Sequence, residues 1–397
     1  MHIDAVDFFY LAMPEVLDVG DGSQDVLLVR VEAGGYEGWG ECEASPLTSI
    51  ASLIAPMSHS ACHPVLSSIL GEKLESAEDI DAISRRTRAR SFDLLQTAHT
   101  LSGIDIAMWD LLGRRFEEPV WKLLGQERSM GKRPYASVLF GDTPEETRLR
   151  GARAVESGFR AVKFGWQGFG TQSLRDDVDQ LAAAREGVGE AELMIDAAMA
   201  WGSDPAPAIE RAAALEEFHV LFLEEPFIPG ADRAYRTLRG ALTNVKIAAG
   251  EGSHSEEMAL NMLDSANVDY LQIDAGRIGG ITTASRVARA TANRGATYLN
   301  HTFTSHLALS ASLQPYVGDA TSTWCEYPLD SQPVSRDLTV ETLAVDADGL
   351  VRVPDSPGLG LTINKEVVGR YAVNVEITID GDSVFRSPFI EPAVRLA

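Results

Sequence analysis

The sequence predicts an α/β protein: a (β/α)8 barrel with an α+β capping domain formed by the N-terminal part and the C-terminal tail. Three observations point there. From about residue 132, short apolar segments that each end in a polar or charged residue alternate with amphipathic stretches rich in Ala, Glu and Arg. Those polar ends recur at the length of one βα unit. Strand-like alternation also occurs before and after this region, where the βα rhythm is absent. The expected boundaries are 1–125 for the N-terminal capping part, 126–330 for the catalytic barrel and 331–397 for a segment returning to the cap.

Residues 25–41, DVLLVRVEAGGYEGWGE, alternate apolar and polar side chains on either side of Gly34 and Gly35, which predicts two strands joined by a tight turn. In 101–116, Ile104, Met108, Leu111 and Leu112 recur at helical spacing and predict one apolar face. The eight barrel segments are 134–141, 161–166, 193–198, 220–226, 246–251, 270–276, 297–302 and 323–328. Between the first two, Thr143, Pro144 and Glu146 fit an N-cap, a first-turn proline and a capping-box acid, in a helix ending at Gly158. Successive polar ends lie 33 residues apart from Lys163 to Asp196, then 28 to Glu224, 27 to Glu251, 23 to Asp274, 27 to His301 and 25 to Glu326. An open doubly wound sheet would carry a Gly-rich first turn, and no G-x-G-x-x-G follows a strand here. In the tail, 372–385 alternates up to an Asp-Gly turn and predicts strands outside the barrel.

The composition narrows the function classes. With 397 residues, 45% of them hydrophobic and 23% charged, the chain is long enough for a barrel and a cap and too apolar for general disorder. A formal charge of −24 repels phosphate backbones and anionic lipid, so neither nucleic acid nor membrane is an expected partner. It is compatible with a salty habitat, where screening relieves self-repulsion. The opening MHIDAVDFFYLAMPEV has no basic leader pattern, and a cytoplasmic homo-oligomer is expected. Cys42, Cys62 and Cys325 form no C-x-x-C pair and read as reduced, apolar side chains.

Asp196, Glu224 and Glu251 end three successive strands, about 4.8 Å apart in a barrel. Carboxylates so close repel each other unless a cation lies among them, and an all-oxygen donor set favours Mg²⁺, one divalent ion. Only alternate residues face inward, so one of Glu224 and Glu225 is a ligand and the other points toward the helices. Asp274 and His301 close the next two strands, where a carboxylate would fix the imidazole tautomer and raise its basicity, as a general base requires. His306 is the rival base but falls in the first turn of a helix, while His59 and His63 lie in a loop-like stretch. Lys163 ends the second strand in this reading, faces His301 across the cavity, and could hold an anionic substrate oxygen or exchange a proton. Glu326 is either a hydrogen-bonding wall residue or a rim acid.

This ring resembles the enolase superfamily, in particular its mandelate racemase subgroup. VLLVRVEAGGYEGWGE resembles the capping hairpin, GIDIAMWDLLGRRFEEPVWKLLG (103–125) the segment leading into the barrel, and PGLGLTINKEVVGRY (357–371) the closing segment. LMIDA, FLEEP and AAGE match the metal-ligand strands, which assigns Asp196, Glu224 and Glu251. IDAGRIGGIT (273–282) places Asp274 where the subgroup has the aspartate of its Asp-His dyad, YLNHT supplies His301, and WCEYP supplies Glu326. Two departures stand out: the K-x-K of strand two is Lys163-Phe164-Gly165, and the D-x-N of strand three is Asp196-Ala197-Ala198.

The resemblance implies Mg²⁺-dependent removal of the proton α to the carboxylate of a small substrate. Without the second lysine, dehydration of an acid sugar to a 2-keto-3-deoxy acid is expected, with His301, Asp274 and Lys163 catalytic and Glu326 and Lys163 contacting substrate. A racemase, epimerase or cycloisomerase, and a catalytically silent barrel, are the alternatives. The capping stretches 13–24 and 44–64 would select the substrate.

Overall fold

Strands β1 (Ile3–Leu11), β2 (Val26–Ala33) and β3 (Tyr36–Cys42) form an antiparallel sheet in that order, with Gly34 and Gly35 turning the chain between β2 and β3. This computed structural model describes residues 1–390 apart from 19, 21, 22, 167 and 330. The helix Thr97–Phe116 lies directly on β3, because a Cβ at Gly40 would stand 2.2 Å from the Gly103 carbonyl oxygen. Backbone meets backbone there, which only glycine permits. The helix is buried on more than the single face its periodicity suggests. Ser102, Asp105 and Asp110 are buried as well, since its other side is pressed against the barrel and tail.

The barrel strands are β4 (Arg133–Leu139), β5 (Ala161–Gly165), β6 (Glu192–Asp196), β7 (Val220–Glu224), β8 (Lys246–Ala249), β9 (Tyr270–Ile273), β10 (Thr297–Asn300) and β11 (Trp324–Pro328). All paired neighbours are parallel, in the order β10-β9-β8-β7-β6-β5-β4-β11. The two end strands meet through a side chain. Asn300 donates from Nδ2 to the Glu326 carbonyl at 3.3 Å and accepts at Oδ1 from the Glu326 N–H at 3.0 Å, so its amide takes the place of a ladder pair. The helix Pro144–Glu156 starts with the expected capping box between Thr143 and Glu146.

Side-chain alternation explains what fills the barrel. Met194, Phe222 and Leu299 lie two residues before Asp196, Glu224 and His301, so they share the inward face. With Tyr135, Ala161 and Ala248 they form a separate buried cluster that plugs the barrel beneath the polar strand ends. After β11 the tail bonds back to the capping part: Leu359 N–H donates to Asp110 at 2.8 Å, and Val373 N–H donates to the Tyr10 carbonyl at 2.8 Å. The last described elements, β12 (Glu376–Ile379) and β13 (Asp382–Arg386), form a hairpin through Asp380 and Gly381, both at positive φ as such a two-residue turn requires. No helix among the described residues is long and apolar enough to cross a membrane.

Gly40→Ala should force the helix Thr97–Phe116 off its sheet. Overpacking of this kind costs about 1–3 kcal/mol, and a lowered thermal midpoint measures it.

Candidate active site

Register places the strand-end residues at one level: Gly165 pairs with Asp196, and Asp196 with Glu224. Lys163 does not end its strand. It lies in the middle of β5, opposite Met194, and its side chain rises from below the carboxylates. Nζ stands 2.7 Å from Glu224 Oε1 and 2.7 Å from Glu326 Oε1, with the lysine side chain only 3% exposed. Glu326 is fully buried and accepts the Thr302 N–H at Oε2 (2.9 Å), so it belongs to the wall and not to the rim. The sequence misplaces the strand end because Phe164 and Gly165, apolar and small, are the residues that extend β5 to the level of Asp196.

His301 follows β10 and is held on both nitrogens. Nδ1 is 2.7 Å from Asp274 Oδ2, and Asp274 Oδ1 accepts the Gly276 N–H at 2.6 Å. Nε2 lies 3.2 Å from Glu251 Oε2 and 4.0 Å from Glu326 Oε2. Glu326 thus stands between Lys163 and His301. The rival histidines are elsewhere: His306 Nδ1 accepts the Leu343 N–H at 3.3 Å, His59 pairs with exposed Asp93, and His63 meets Arg90. Glu225 turns out of the barrel, accepts the Gly250 N–H at 3.4 Å, and borders a separate cavity of about 400 Å³ lined by Tyr235, Met258 and Met262.

Five carboxyl groups (Asp196, Glu224, Glu251, Asp274 and Glu326) share this space with Lys163, His301 and Arg277. Burial pushes Asp196 up to about 6, with Glu251 adding repulsion against the pull of Lys163. Burial likewise raises the Glu224 carboxyl well above its ordinary range. Glu251 is the exception: burial acts to raise it, but His301 and Arg277 outweigh this and bring it to about 2. Burial disfavours charge on Lys163 and His301, yet Glu224 and Glu326 hold the lysine protonated, and Glu251 and Glu326 raise the imidazole.

Among the described residues, Glu224 Oε2 is buried with no hydrogen-bond partner, an orphaned acceptor in a region of surplus negative charge. That is the environment a divalent cation satisfies, and Asp196, Glu224 and Glu251 are oxygen donors of the right chemistry. Among the described residues no group of three or more acids, histidines or cysteines stands in ligating geometry, because Glu224 is drawn to Lys163 and Glu251 to His301 and Arg277. A Cβ at position 165 would lie 3.0 Å from Asp196 Oδ2, so the missing lysine of strand two leaves room for that carboxylate.

Beside His301, a cavity of about 350 Å³ is lined by Leu17, Ser23, Leu139, Arg150, Phe303 and Leu329 among others. Phe303 connects it to the site, its ring 6.2 Å from that of His301. The 13–24 stretch therefore borders the site, with residues 19, 21 and 22 outside the described part, while no described residue of 44–64 lines this cavity. Sequence reasoning passed over Arg277, Glu43, Glu41 and Phe303. Arg277 lies inside the Asp274-to-Gly280 motif, and Glu41 closes the G-W-G-E run, so the motifs themselves held the signal.

An inward ring of acids, an Asp-His pair and a lysine at the carboxyl ends of barrel strands, under a cap, define a barrel enzyme. Residues 147–367 match the enolase C-terminal domain-like family, and 11–125 match the mandelate racemase/muconate lactonizing enzyme N-terminal domain. The chain belongs to this family of the enolase superfamily, whose members are enzymes.

It is 33% identical over 287 residues to a 3,6-anhydro-alpha-L-galactonate cycloisomerase of Streptomyces coelicolor, covering 69% of this chain and 72% of that one. It is 27% identical to an arabinonate dehydratase of Saccharolobus solfataricus, covering 68% and 71%. Among solved structures, a mandelate racemase assigned by prediction from Rhodobacter sphaeroides superposes with a TM-score of 0.94 at 51% identity over 98% of this chain and all (100%) of that one. A racemase from Streptomyces coelicolor with bound magnesium gives 0.78 at 26% identity, over 94% and 100%.

Lys163→Met should leave Glu224 and Glu326 buried without their cation, a loss of about 3–5 kcal/mol at neutral pH. The loss should shrink as acid protonates Glu224, whose carboxyl burial already raises, and chemical denaturation at two pH values reads this out.

Proposed function

We propose that the protein removes the proton α to the carboxylate of an acid sugar and expels the oxygen on the neighbouring carbon. One observation carries this reading: a single imidazole, fixed by Asp274, faces the carboxylates, while the one strand-two lysine is tied to Glu224 and Glu326. Racemisation needs a proton donor on each face of the α-carbon, and with Gly165 in place of a second lysine this site offers one base, the imidazole of His301. β-Elimination asks only for that base and for an acid at the leaving oxygen. Acid-sugar dehydratases and cycloisomerases among the relatives support it.

Asp196, Glu224 and Glu251 would hold Mg²⁺, whose positive charge stabilises the negative charge that develops on the substrate carboxylate. His301 Nε2, once parted from Glu251, would take the α-proton. Asp274 keeps the proton on Nδ1 and supports the imidazolium that results. The protonated imidazole then delivers that proton to the departing oxygen on the same face. Lys163 and Glu326 form the floor beneath the carboxylate, and the cavity bounded by Leu17, Arg150 and Phe303 receives the rest of the substrate.

A second leaving group is favoured by the relative at 33% identity, which is a cycloisomerase. If the expelled oxygen belongs to a ring, the same steps open it and no water is lost.

Mono- and diacid sugars, with their anhydro and lactone forms, incubated with Mg²⁺ in D₂O and followed by NMR should yield a 2-keto-3-deoxy product with one deuteron at C3. Recovered substrate with inverted configuration and an α-deuteron would contradict elimination and establish a racemase. His301→Asn should lower the rate by at least about 10²–10⁴-fold, with Mg²⁺ affinity retained. His306→Asn should remain active.

A further inference from the structure

Arg277, three residues beyond Asp274, has no part in the steps above, yet it connects the cap to the site. Its Nη1 donates to Glu251 Oε1 at 3.1 Å, and its Nη2 stands 3.4 Å from Glu43 Oε1. Glu43 directly follows β3, is 5% exposed, and accepts from Gln24 Nε2 of the capping loop. Its backbone N–H donates to the Gly276 carbonyl at 3.2 Å, which fixes it against the loop that carries Arg277. At the other end, Glu251 Oε2 lies 3.2 Å from His301 Nε2. A continuous line of side chains thus runs Gln24, Glu43, Arg277, Glu251, His301, from the capping loop to the base.

The chemistry of the line has a direction. A guanidinium keeps its charge at any working pH, so Arg277 can leave Glu251 only by moving and never by losing a proton. Glu43 and Glu251 share that one cation. With Glu43 in place, the guanidinium is divided between them. With Glu43 made neutral, the balance shifts toward Glu251, where the guanidinium competes with any metal ion.

We propose that Arg277 is a positioning residue that sets how far Glu251 is available to a divalent cation, and that Glu43 of the capping domain sets Arg277 in turn. Seating of the cap and binding of the cation are then linked. This rests on the reading of Glu251 as a metal ligand. Groups that orient ligands typically change metal affinity by about 10–100-fold when altered.

Calorimetric titration of the full chain with MgCl₂, for the wild type, Glu43→Gln, Arg277→Met and the double variant, tests the link. Wild-type binding tests the underlying reading: if Mg²⁺ does not bind, that reading falls and the link with it. Glu43→Gln should weaken Mg²⁺ binding about 10-fold at an unchanged thermal midpoint, an effect that a purely structural role would not give. In the Arg277→Met background the same change should alter affinity by less than about 2-fold. An equal effect of Glu43→Gln in both backgrounds, or none in the wild type, overturns the proposal. Should Glu43→Gln be unstable, Gln24→Ala enters the same cycle, with weakening that vanishes without Arg277 expected and an effect independent of Arg277 contradicting it.

Discussion

The ammonium of Lys163, held between Glu224 and Glu326, is the contact on which the rest of the site depends. It joins β5 to β7 and to β11 across the barrel interior, strands that are not neighbours in the sheet. Burying such a cluster is costly unless every charge is met by another. Here the balance is left incomplete, since among the described residues the acids outnumber the cations and Glu224 Oε2 has no hydrogen-bond partner. A site built this way is arranged to receive positive charge.

The capping domain does more than cover the barrel. Gly279 N–H donates to Ser102 and Thr282 N–H to Asp105, so the helix Thr97–Phe116 holds the loop that carries Asp274. Glu41, pushed up to about 7 by burial, accepts from Ser305 on the loop that follows His301. Both halves of the Asp-His pair are therefore fixed from the cap as well as from their own strands. Second-layer contacts of this kind set the angle at which an imidazole meets its substrate.

The barrel was legible in the sequence because a βα unit repeats at a nearly constant length and leaves one polar residue at the same end of each strand. Asp196, Asp274 and His301 stand out by that rhythm alone, whereas the choice of Glu224 over Glu225 needed the family resemblance. Lys163 broke it: its partners are set by tertiary packing, with Glu224 lying 61 positions away, and periodicity carries no sign of whether a lysine faces solvent or two buried acids. Glu326 was undecided for the same reason. Arg277 sits within a recognisable motif, but its partner Glu43 lies 234 positions earlier, and nothing local in either segment announces the pair. The single apolar face expected for the helix Thr97–Phe116 missed its buried polar side, because Asp105 and Asp110 look solvent-facing until the loops they bond are folded against them.

Buried negative charge at the strand ends calls for completion by one divalent ion. Crystals grown with Mn²⁺ as a stand-in for Mg²⁺, measured by anomalous diffraction, test it most directly. One strong peak among the carboxylates of Asp196, Glu224 and Glu251, with Lys163 still against Glu326, is the predicted result. A map without a peak there, or with its peak in the cavity beside Glu225, would contradict it.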